Sequence, residues 1–370
     1  MKRSNSGLSR YARRFAVTLF ACLVAATAFA QSGKPLKKVT IAAGTQVLNI
    51  AYPWLMMPQA LNYWRDEGYD VQVLAGQSSL QSIQLLVANS ADFAQVNSGP
   101  LVQATVMNQV PLRTVMVNGV VDWSLVVPGA SAVKTVTDFR GKAIGVSTLG
   151  TGGVALLQAY LRNNGVNPDG EVQIIPVGFG PLALQALRSD KVQGLMYWAS
   201  AIASFENAGE KLRYFISPEW RKYPDFSLVT LQSTIAKDPA MVEAVVRGAA
   251  KASAFSVANP DCVRQLQWKH WPASKPTGAD EATLVKRELH YLNAQIDSMK
   301  KALELGGGKL WGRTTGADFA PFEAFLLSSK IIDKKMSNAD SYVISVPGFF
   351  ERANEFDRAA IAAQARACAI

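Results

Sequence analysis

The sequence predicts an α/β protein of two lobes with a cleft between them and a helical C-terminal extension. Strand-like and helix-like segments alternate over residues 39–121 and again over residues 125–197. Such alternation is typical of mostly parallel sheets that helices cover on both faces. A secretory signal precedes these segments, and no G-x-S-x-G or comparable catalytic motif accompanies them. Two successive α/β units in an exported chain of this kind indicate a two-lobed binding protein.

The N-terminus has the three parts of a secretory signal peptide. Five basic residues lie within residues 2–14, an apolar run occupies residues 15–29, and Ala28-Phe29-Ala30 supplies a small-residue cleavage site. The apolar run is short for a membrane span. We therefore expect residues 1–30 to be removed on export to the periplasm. Because this segment holds five basic and no acidic residues, its removal lowers the formal net charge from +10 to +5.

Hydrophobic periodicity and turn residues place the individual elements. The first alternation has strands at 39–43, 69–74, 92–96 and 114–121 and helices at 58–68, 80–89 and 100–108. The second has strands at 125–127, 143–146, 171–176 and 194–197 and helices at 154–163 and 181–189. After about Val229 the pattern becomes helical, with helices at 240–259, 281–305, 321–328 and 348–369.

The stretch from Thr137 to Leu161 is the most informative motif, because a strand passes through a Gly-rich turn into a helix. Gly150, Gly152 and Gly153 lack Cβ atoms, and the helix start has unpaired N–H groups, so a solute can approach the backbone closely. Thr151 stands where a phosphate-binding loop has its lysine, which argues against a nucleoside triphosphate. The turn predicts a cradle for a neutral or modestly anionic group; the alternative is a tight turn with no ligand.

Four phrases carry a resemblance to a known family. They are Asn-Ser-Ala-Asp-Phe-Ala at 89–94, Asp-Phe-Arg-Gly-Lys-Ala-Ile-Gly-Val at 138–146, Ala-Leu-Arg-Ser-Asp-Lys-Val-Gln-Gly at 186–194 and Ala-Asn-Pro-Asp at 258–261. In this order and spacing the chain resembles the periplasmic solute-binding proteins of ABC importers, in the sulfonate/nitrate/taurine and NMT1/THI5-like group.

The resemblance implies a type II periplasmic-binding-protein fold and a partner, an ABC permease in the inner membrane. Lobe I would comprise residues 36–123 and 230–370, and lobe II residues 124–229, with crossovers near Asp122–Ser124 and Ser227–Thr230. The protein would act as a monomer that closes its lobes on a small-molecule solute.

The expected ligand-binding residues lie on turns that follow strands or at a crossover, where parallel sheets generally place ligands. They are Thr45, Gln46, Tyr52, Trp54, Gln77, Ser78, Asn97, Ser98, Trp123, Thr148, Gly150, Thr151, Gly152, Gly153, Phe179, Tyr197 and Trp198. Ser78, Ser98 and Thr151 can instead cap helices, and Trp54 and Trp198 can instead be packing residues.

The residue types at these turns limit the class of solute. The turns contain several aromatic residues but no lysine or arginine. We therefore expect a small mono-anionic or neutral organic solute with an aromatic or heteroaromatic ring. A sulfonate or carboxylate head would lie on the Thr148–Gly153 turn.

The remaining motifs favour no enzyme, metal, cofactor or nucleic acid. His270 and His290 lie twenty residues apart without patterned carboxylates, which does not indicate a zinc site. Glu206 and Asp225 read as surface carboxylates near the crossover, and no basic cluster with interleaved aromatics follows the signal. Cys262 and Cys368 remain after cleavage and can form a disulfide in an exported protein.

Two alternatives stay open. One is a binder of thiamine pyrimidine precursors, or a synthase-like NMT1/THI5 protein, although the chain has few histidines and no clustered cysteines. The other is a sensor or capture protein with the same fold that delivers its solute to a partner other than an ABC permease.

Overall fold

The computed structural model describes residues 35–369, so the predicted signal peptide at residues 1–30 lies outside the described part. The strands β1–β10 are Lys37–Ala43, Tyr69–Ala75, Phe93–Val96, Leu112–Val120, Trp123–Pro128, Lys142–Val146, Val172–Pro176, Gly194–Trp198, Leu212–Phe215 and Pro224–Leu231. The helices α1–α13 are Pro53–Ala60, Ser79–Val87, Ser98–Val106, Gly152–Asn163, Pro181–Arg188, Ala199–Asn207, Gln232–Lys237, Pro239–Ala258, Pro260–His270, Glu281–Leu305, Gly316–Ser328, Phe349–Ala353 and Arg358–Ala367. None of the helices in this part is long and apolar enough to cross a membrane.

The strands form two separate five-stranded sheets. The first has the order β2-β1-β3-β10-β4 and the second the order β7-β6-β8-β5-β9. β1 and β3 pair in parallel, as do β6 with β7 and β6 with β8. Helices pack against both sheets, and the two α/β lobes predicted from the sequence are confirmed.

Both sheets are mixed, because each includes one strand that runs antiparallel to its neighbours. In the first sheet, β10 runs antiparallel to β3 and β4, and in the second, β5 runs antiparallel to β8 and β9. β10 was missed because Pro224 and Asp225 open it, and both residue types are uncommon in strands. The chain therefore returns to the first sheet between Phe215 and Pro224, upstream of the expected crossover at Ser227–Thr230. The lobe limits themselves stay a prediction.

Local chemistry explains the helix limits that differ from the predicted ones. α1 begins at Pro53, because proline is favoured in a first helical turn, and it ends before Asn62, whose φ is +58°. The predicted helix at 58–68 was therefore wrong. The predicted helix at 348–369 is divided in two, since the Asp357 side chain accepts a hydrogen bond from the Ala360 N–H and starts α13 anew.

The C-terminal helix is joined to the helical region before it. A disulfide connects Cys262 at the start of α9 to Cys368, with 5.6 Å between their Cα atoms. Close by, the Asn259 amide donates to the Ala365 carbonyl oxygen at 2.9 Å, and the Tyr63 hydroxyl donates to Gln364 Oε1 at 2.6 Å. These bonds hold α13 against α8, α9 and the segment after α1.

Candidate functional site

A large cavity lies between segments that belong to the two sheets. Its volume is about 1210 Å³. Four segments form its walls: the loop between β1 and α1, the turn before α5 with α5 itself, the end of β8 with α6, and the region from the residue after α9 into α10. Most of the lining side chains are apolar, including Leu48, Ile50, Leu184, Ala201 and Leu284.

Five of the predicted site residues line this cavity. They are Thr45, Tyr52, Phe179, Tyr197 and Trp198. Thr45 and Tyr52 follow β1 in the first sheet, whereas the other three follow or end β7 and β8 in the second. Turns at the carboxyl ends of strands from both sheets therefore meet at one cavity, as expected for this kind of fold.

The wall formed by the second sheet is aromatic. Tyr197 and Trp198 stack with ring centroids 5.6 Å apart, and Phe179 meets Trp198 edge-on at 6.1 Å. The Tyr197 hydroxyl donates a hydrogen bond to the Gly178 carbonyl oxygen, which fixes the turn that carries Phe179. Gly178 and Gly180 have φ values of +82° and +53°, a conformation that favours glycine. A flat ring can pack against this wall.

The Thr148–Gly153 turn lies against protein rather than against the cavity. A Cβ atom at Gly152 would be 2.4 Å from Asn97 Cβ, one at Gly153 would be 2.4 Å from the Trp123 ring, and one at Gly150 would be 2.7 Å from Ser78 Oγ. The glycines thus allow close approach, but their neighbours are side chains of the first half of the chain. Thr148, Gly150, Thr151, Gly152 and Gly153 do not line the cavity, and their contact with a solute stays a prediction.

Asp225 explains why Asn97, Ser98 and Trp123 lie away from the cavity. One carboxylate oxygen accepts from Asn97 Nδ2 and Trp123 Nε1, both at 3.0 Å, and the other accepts from the Ser98 N–H at 2.6 Å. Burial raises the pKa of Asp225 to about 6, although these hydrogen bonds act to lower it. Reading Asp225 as a surface carboxylate was wrong, because its side chain is buried and holds the two crossovers together.

A second buried carboxyl group, Asp122, lies next to this network without comparable partners. Neither of its oxygens has a donor in good hydrogen-bond geometry among the described residues, although the Ala199 N–H and the Ser298 hydroxyl act to lower its pKa. Burial raises the pKa of Asp122 to about 7, with a further rise from the charge of Asp225 and an opposing effect of Arg221. At the first passage between the sheets, the ionised form of this carboxyl group is therefore poorly stabilised by its surroundings.

The other predicted residues do not line the cavity, and their contact with a solute stays a prediction. Trp54 is fully buried, and its indole N–H donates to Gln95 Oε1 at 2.8 Å. Ser78 caps α2 by accepting from the Gln81 N–H at 3.3 Å. Gln46 and Gln77 are exposed, and neither lines the cavity.

Two polar residues of the cavity were missed. Asn49 Nδ2 donates to the Tyr291 hydroxyl oxygen at 2.8 Å, and Asn49 Oδ1 accepts from the Ala51 N–H at 3.0 Å. Burial raises the pKa of Tyr291 to about 12, and burial also raises the pKa of Tyr52. Both phenols therefore stay protonated at neutral pH. The two bonded side chains are 242 residues apart in sequence, and no local sequence pattern predicts a contact between residues so far apart.

The charged lining residues of the described chain lie on α5 and α10. The Arg188 Nε donates to Glu210 at 2.6 Å, and about half of the Arg188 side chain is exposed. Arg287 is exposed, and Glu288 is half-buried, with a pKa that burial raises. The buried lining residues Thr45, Tyr52 and Trp198 carry no charge.

The family follows from the sequence comparison. Residues 52–262, more than half of the 370-residue chain, match the family described as NMT1/THI5 like. The chain therefore belongs to the NMT1/THI5-like family. No curated protein sequence matches it.

Solved structures share the fold at low sequence identity. A protein from Bordetella bronchiseptica RB50 is 19% identical, covers 89% of this chain and 97% of its own, and has a TM-score of 0.61. The putative periplasmic sulfonate-binding protein SsuA of Methylobacillus flagellatus KT is 17% identical, covers 86% and 94%, and has a TM-score of 0.54. The desulfurization enzyme DSZB, as a point mutant in complex with biphenyl-2-sulfinic acid, is 14% identical, covers 86% and 98%, and has a TM-score of 0.55.

These likenesses confirm the periplasmic-binding-protein fold that the resemblance implied. Because an enzyme shares the fold, the fold alone does not separate binding from catalysis.

Proposed function

We propose that this protein is the periplasmic solute-binding component of an ABC uptake system, and that it captures a small ring-bearing organic solute by lobe closure. The observation that carries this proposal is the cavity of about 1210 Å³, whose walls come from segments of both sheets. Ligand sites in proteins are typically concave, apolar and about 300–1,000 Å³ in volume, with few polar groups. The cavity is large enough for a solute of that size.

The aromatic wall supports a solute with a ring. The rings of Phe179 and Trp198 meet edge-on, and the ring of Tyr197 stacks on that of Trp198. An aromatic pair contributes about 0.5–1.5 kcal/mol beyond its buried area. A short alkanesulfonate would leave most of this cavity unfilled. A sulfonate or carboxylate head on the Thr148–Gly153 turn would require that turn to separate from Asn97 and Trp123.

Lobe closure is supported by the origin of the cavity walls. Tyr52 belongs to a segment after β1 of the first sheet, and Phe179 to a segment after β7 of the second. The chain passes between the sheets twice, at Val121–Asp122 and between Phe215 and Pro224. A rotation about these two passages would bring the walls onto a bound solute. The closed protein would then dock, as a monomer, on an inner-membrane permease.

The side chains around the cavity support binding rather than catalysis. No histidine or cysteine is among the described residues that line it, and Glu288 is its one acidic residue. His270 ends α9, and His290, which does not line the cavity, contacts Glu206 and Asn207. Over residues 35–369, no group of three histidine, cysteine or acidic side chains could hold a metal ion.

A thermal-shift screen tests the proposal. The chain from residue 31 onward would be screened against aromatic carboxylates, aromatic amides, pyrimidines, sulfonates and nitrate. A ligand at a hundredfold its Kd stabilises a protein by about 2.7 kcal/mol, which is readily measured. We expect a ring-bearing class to stabilise the protein, and the variant Trp198→Ala to lose most of that shift. Stabilisation by nitrate or short alkanesulfonates alone would contradict the ring-bearing solute, and no stabilisation by any class would contradict solute capture.

A further inference from the structure

One part of the cavity lining is built from uncharged hydrogen-bonding side chains. We call Thr45, Asn49, Tyr52 and Tyr291 the polar end. Asn49 donates to the Tyr291 hydroxyl oxygen at 2.8 Å, and the Thr45 hydroxyl donates to the Val47 carbonyl oxygen at 3.3 Å. All four residues line the cavity. They bring two phenols and an amide together from segments far apart in the sequence.

The polar end can donate hydrogen bonds to a solute. The Asn49 amide already uses its oxygen for the Ala51 N–H, which fixes its orientation and directs its NH₂ group at Tyr291. The Tyr291 oxygen accepts that bond, so the Tyr291 hydrogen points elsewhere. Because the phenol groups of Tyr52 and Tyr291 stay protonated, each remains a potential donor. A neutral acceptor, such as a carbonyl or sulfonyl oxygen, fits this arrangement.

The charges around the polar end disfavour an anion. No lysine or arginine belongs to it, and the nearby buried carboxyl group of Asp122 acts on Tyr52 with a negative charge when it is ionised. The Arg188 side chain is bound to Glu210, and Arg287 is exposed on α10. An anionic head at the polar end would lose its hydration without gaining a cation, which is unfavourable.

We propose that the solute carries an uncharged, hydrogen-bond-accepting group, such as an amide, ketone or sulfonamide, which binds at the polar end while its flat apolar body packs against Phe179 and Trp198. This inference rests on the proposed function and specifies the class of solute. The sequence predicted either a mono-anionic or a neutral solute, and this inference favours the neutral one.

A pair of fluorescent probes tests the charge of the head. Dansylamide and dansylate (5-dimethylaminonaphthalene-1-sulfonate) share one ring system and differ in a neutral sulfonamide against an anionic sulfonate. We expect dansylamide to bind at least tenfold more tightly in a fluorescence titration of the protein without its signal peptide. Equal or tighter binding of dansylate overturns the proposal, and so does an absence of binding by both probes.

Variants locate the head within the cavity. Tyr291→Phe keeps the ring and removes the hydroxyl, so we expect a two- to tenfold loss of dansylamide affinity, the range for one neutral hydrogen bond. Tyr160→Phe makes the same chemical change at a residue outside the cavity lining and should leave the affinity unchanged. Arg287→Gln removes a positive charge from the exposed part of the lining and tests the other possible position of the head. A loss confined to Arg287→Gln would place the head at the exposed end and overturn the proposal.

The result is separable from that of the proposed function. If neither probe binds while the thermal-shift screen identifies an anionic ring compound, solute capture stands and the neutral head is refuted. If the screen identifies no compound and neither probe binds, both proposals fail.

Discussion

Replacing Asp122 with asparagine is expected to stabilise the protein at alkaline pH. Asp122 is buried, and neither of its oxygens has a donor in good hydrogen-bond geometry in the described structure. Its pKa is about 7 in the folded protein against 3.8 for an unperturbed aspartate. The folded state therefore binds more protons than the unfolded chain between about pH 4 and pH 7, and stability falls as the pH rises through this window.

The pKa difference sets the magnitude. One pKa unit corresponds to about 1.4 kcal/mol, so the ionised Asp122 lowers the free energy of unfolding by about 4 kcal/mol at most. Between pH 5 and pH 8 the loss through this group is roughly 2–3 kcal/mol. An asparagine side chain at this position would carry no charge, but its amide would also be buried without ready partners, which costs about 1–3 kcal/mol. We expect a net gain of about 1–3 kcal/mol at pH 8 for Asp122→Asn.

Urea unfolding at pH 5, 6, 7 and 8 measures the effect. The unfolding free energy of the variant should depend less on pH than that of the unmodified protein. The matched control is Asp225→Asn, since Asp225 accepts hydrogen bonds from Asn97, Ser98 and Trp123, and its amide would face donors. That variant should be less stable at pH 8. Equal pH dependence in Asp122→Asn and the unmodified protein, or a loss of stability at pH 8, would show that ionised Asp122 does not destabilise the folded state.

Two further substitutions test the packing of the chain. Replacing both Cys262 and Cys368 with serine removes a crosslink between residues with a sequence separation of 106. The unfolding free energy measured by chemical denaturation should fall by about 4 kcal/mol. An unchanged denaturation midpoint under non-reducing conditions would contradict this prediction. Gly153→Ala places a Cβ atom 2.4 Å from the Trp123 ring and should lower the unfolding free energy by about 1–3 kcal/mol. In the control Gly170→Ala, the nearest atom to the new Cβ is 3.5 Å away, and the unfolding free energy should change by less than about 0.5 kcal/mol. Similar losses in both glycine variants would show that the close contact at Gly153 is absent.

The sequence predicted the two lobes and the aromatic wall because both depend on local patterns. Strand and helix periodicities lie within short windows, and Phe179, Tyr197 and Trp198 follow or end strands that those windows identify. The carboxyl ends of strands then indicate where a ligand site lies.

The remaining features depend on contacts between distant residues. The Asn49–Tyr291 pair joins β1's loop to α10 across 242 residues. The glycines of the Thr148–Gly153 turn indicate that other atoms pack closely against its backbone. The side chains of Asn97 and Trp123 do so in the structure, and the sequence cannot distinguish them from a solute, because both need a backbone without a Cβ atom. Asp225 was assigned to the surface because aspartate is rarely buried without partners, and its three partners come from elsewhere in the chain.

A crystal structure with the compound that most strongly stabilises the protein would show where the solute binds. We predict that the solute lies in the cavity of about 1210 Å³, with its ring against Phe179 and Trp198. Density for the solute at the Thr148–Gly153 turn, with this cavity empty, would contradict the proposed position of the solute.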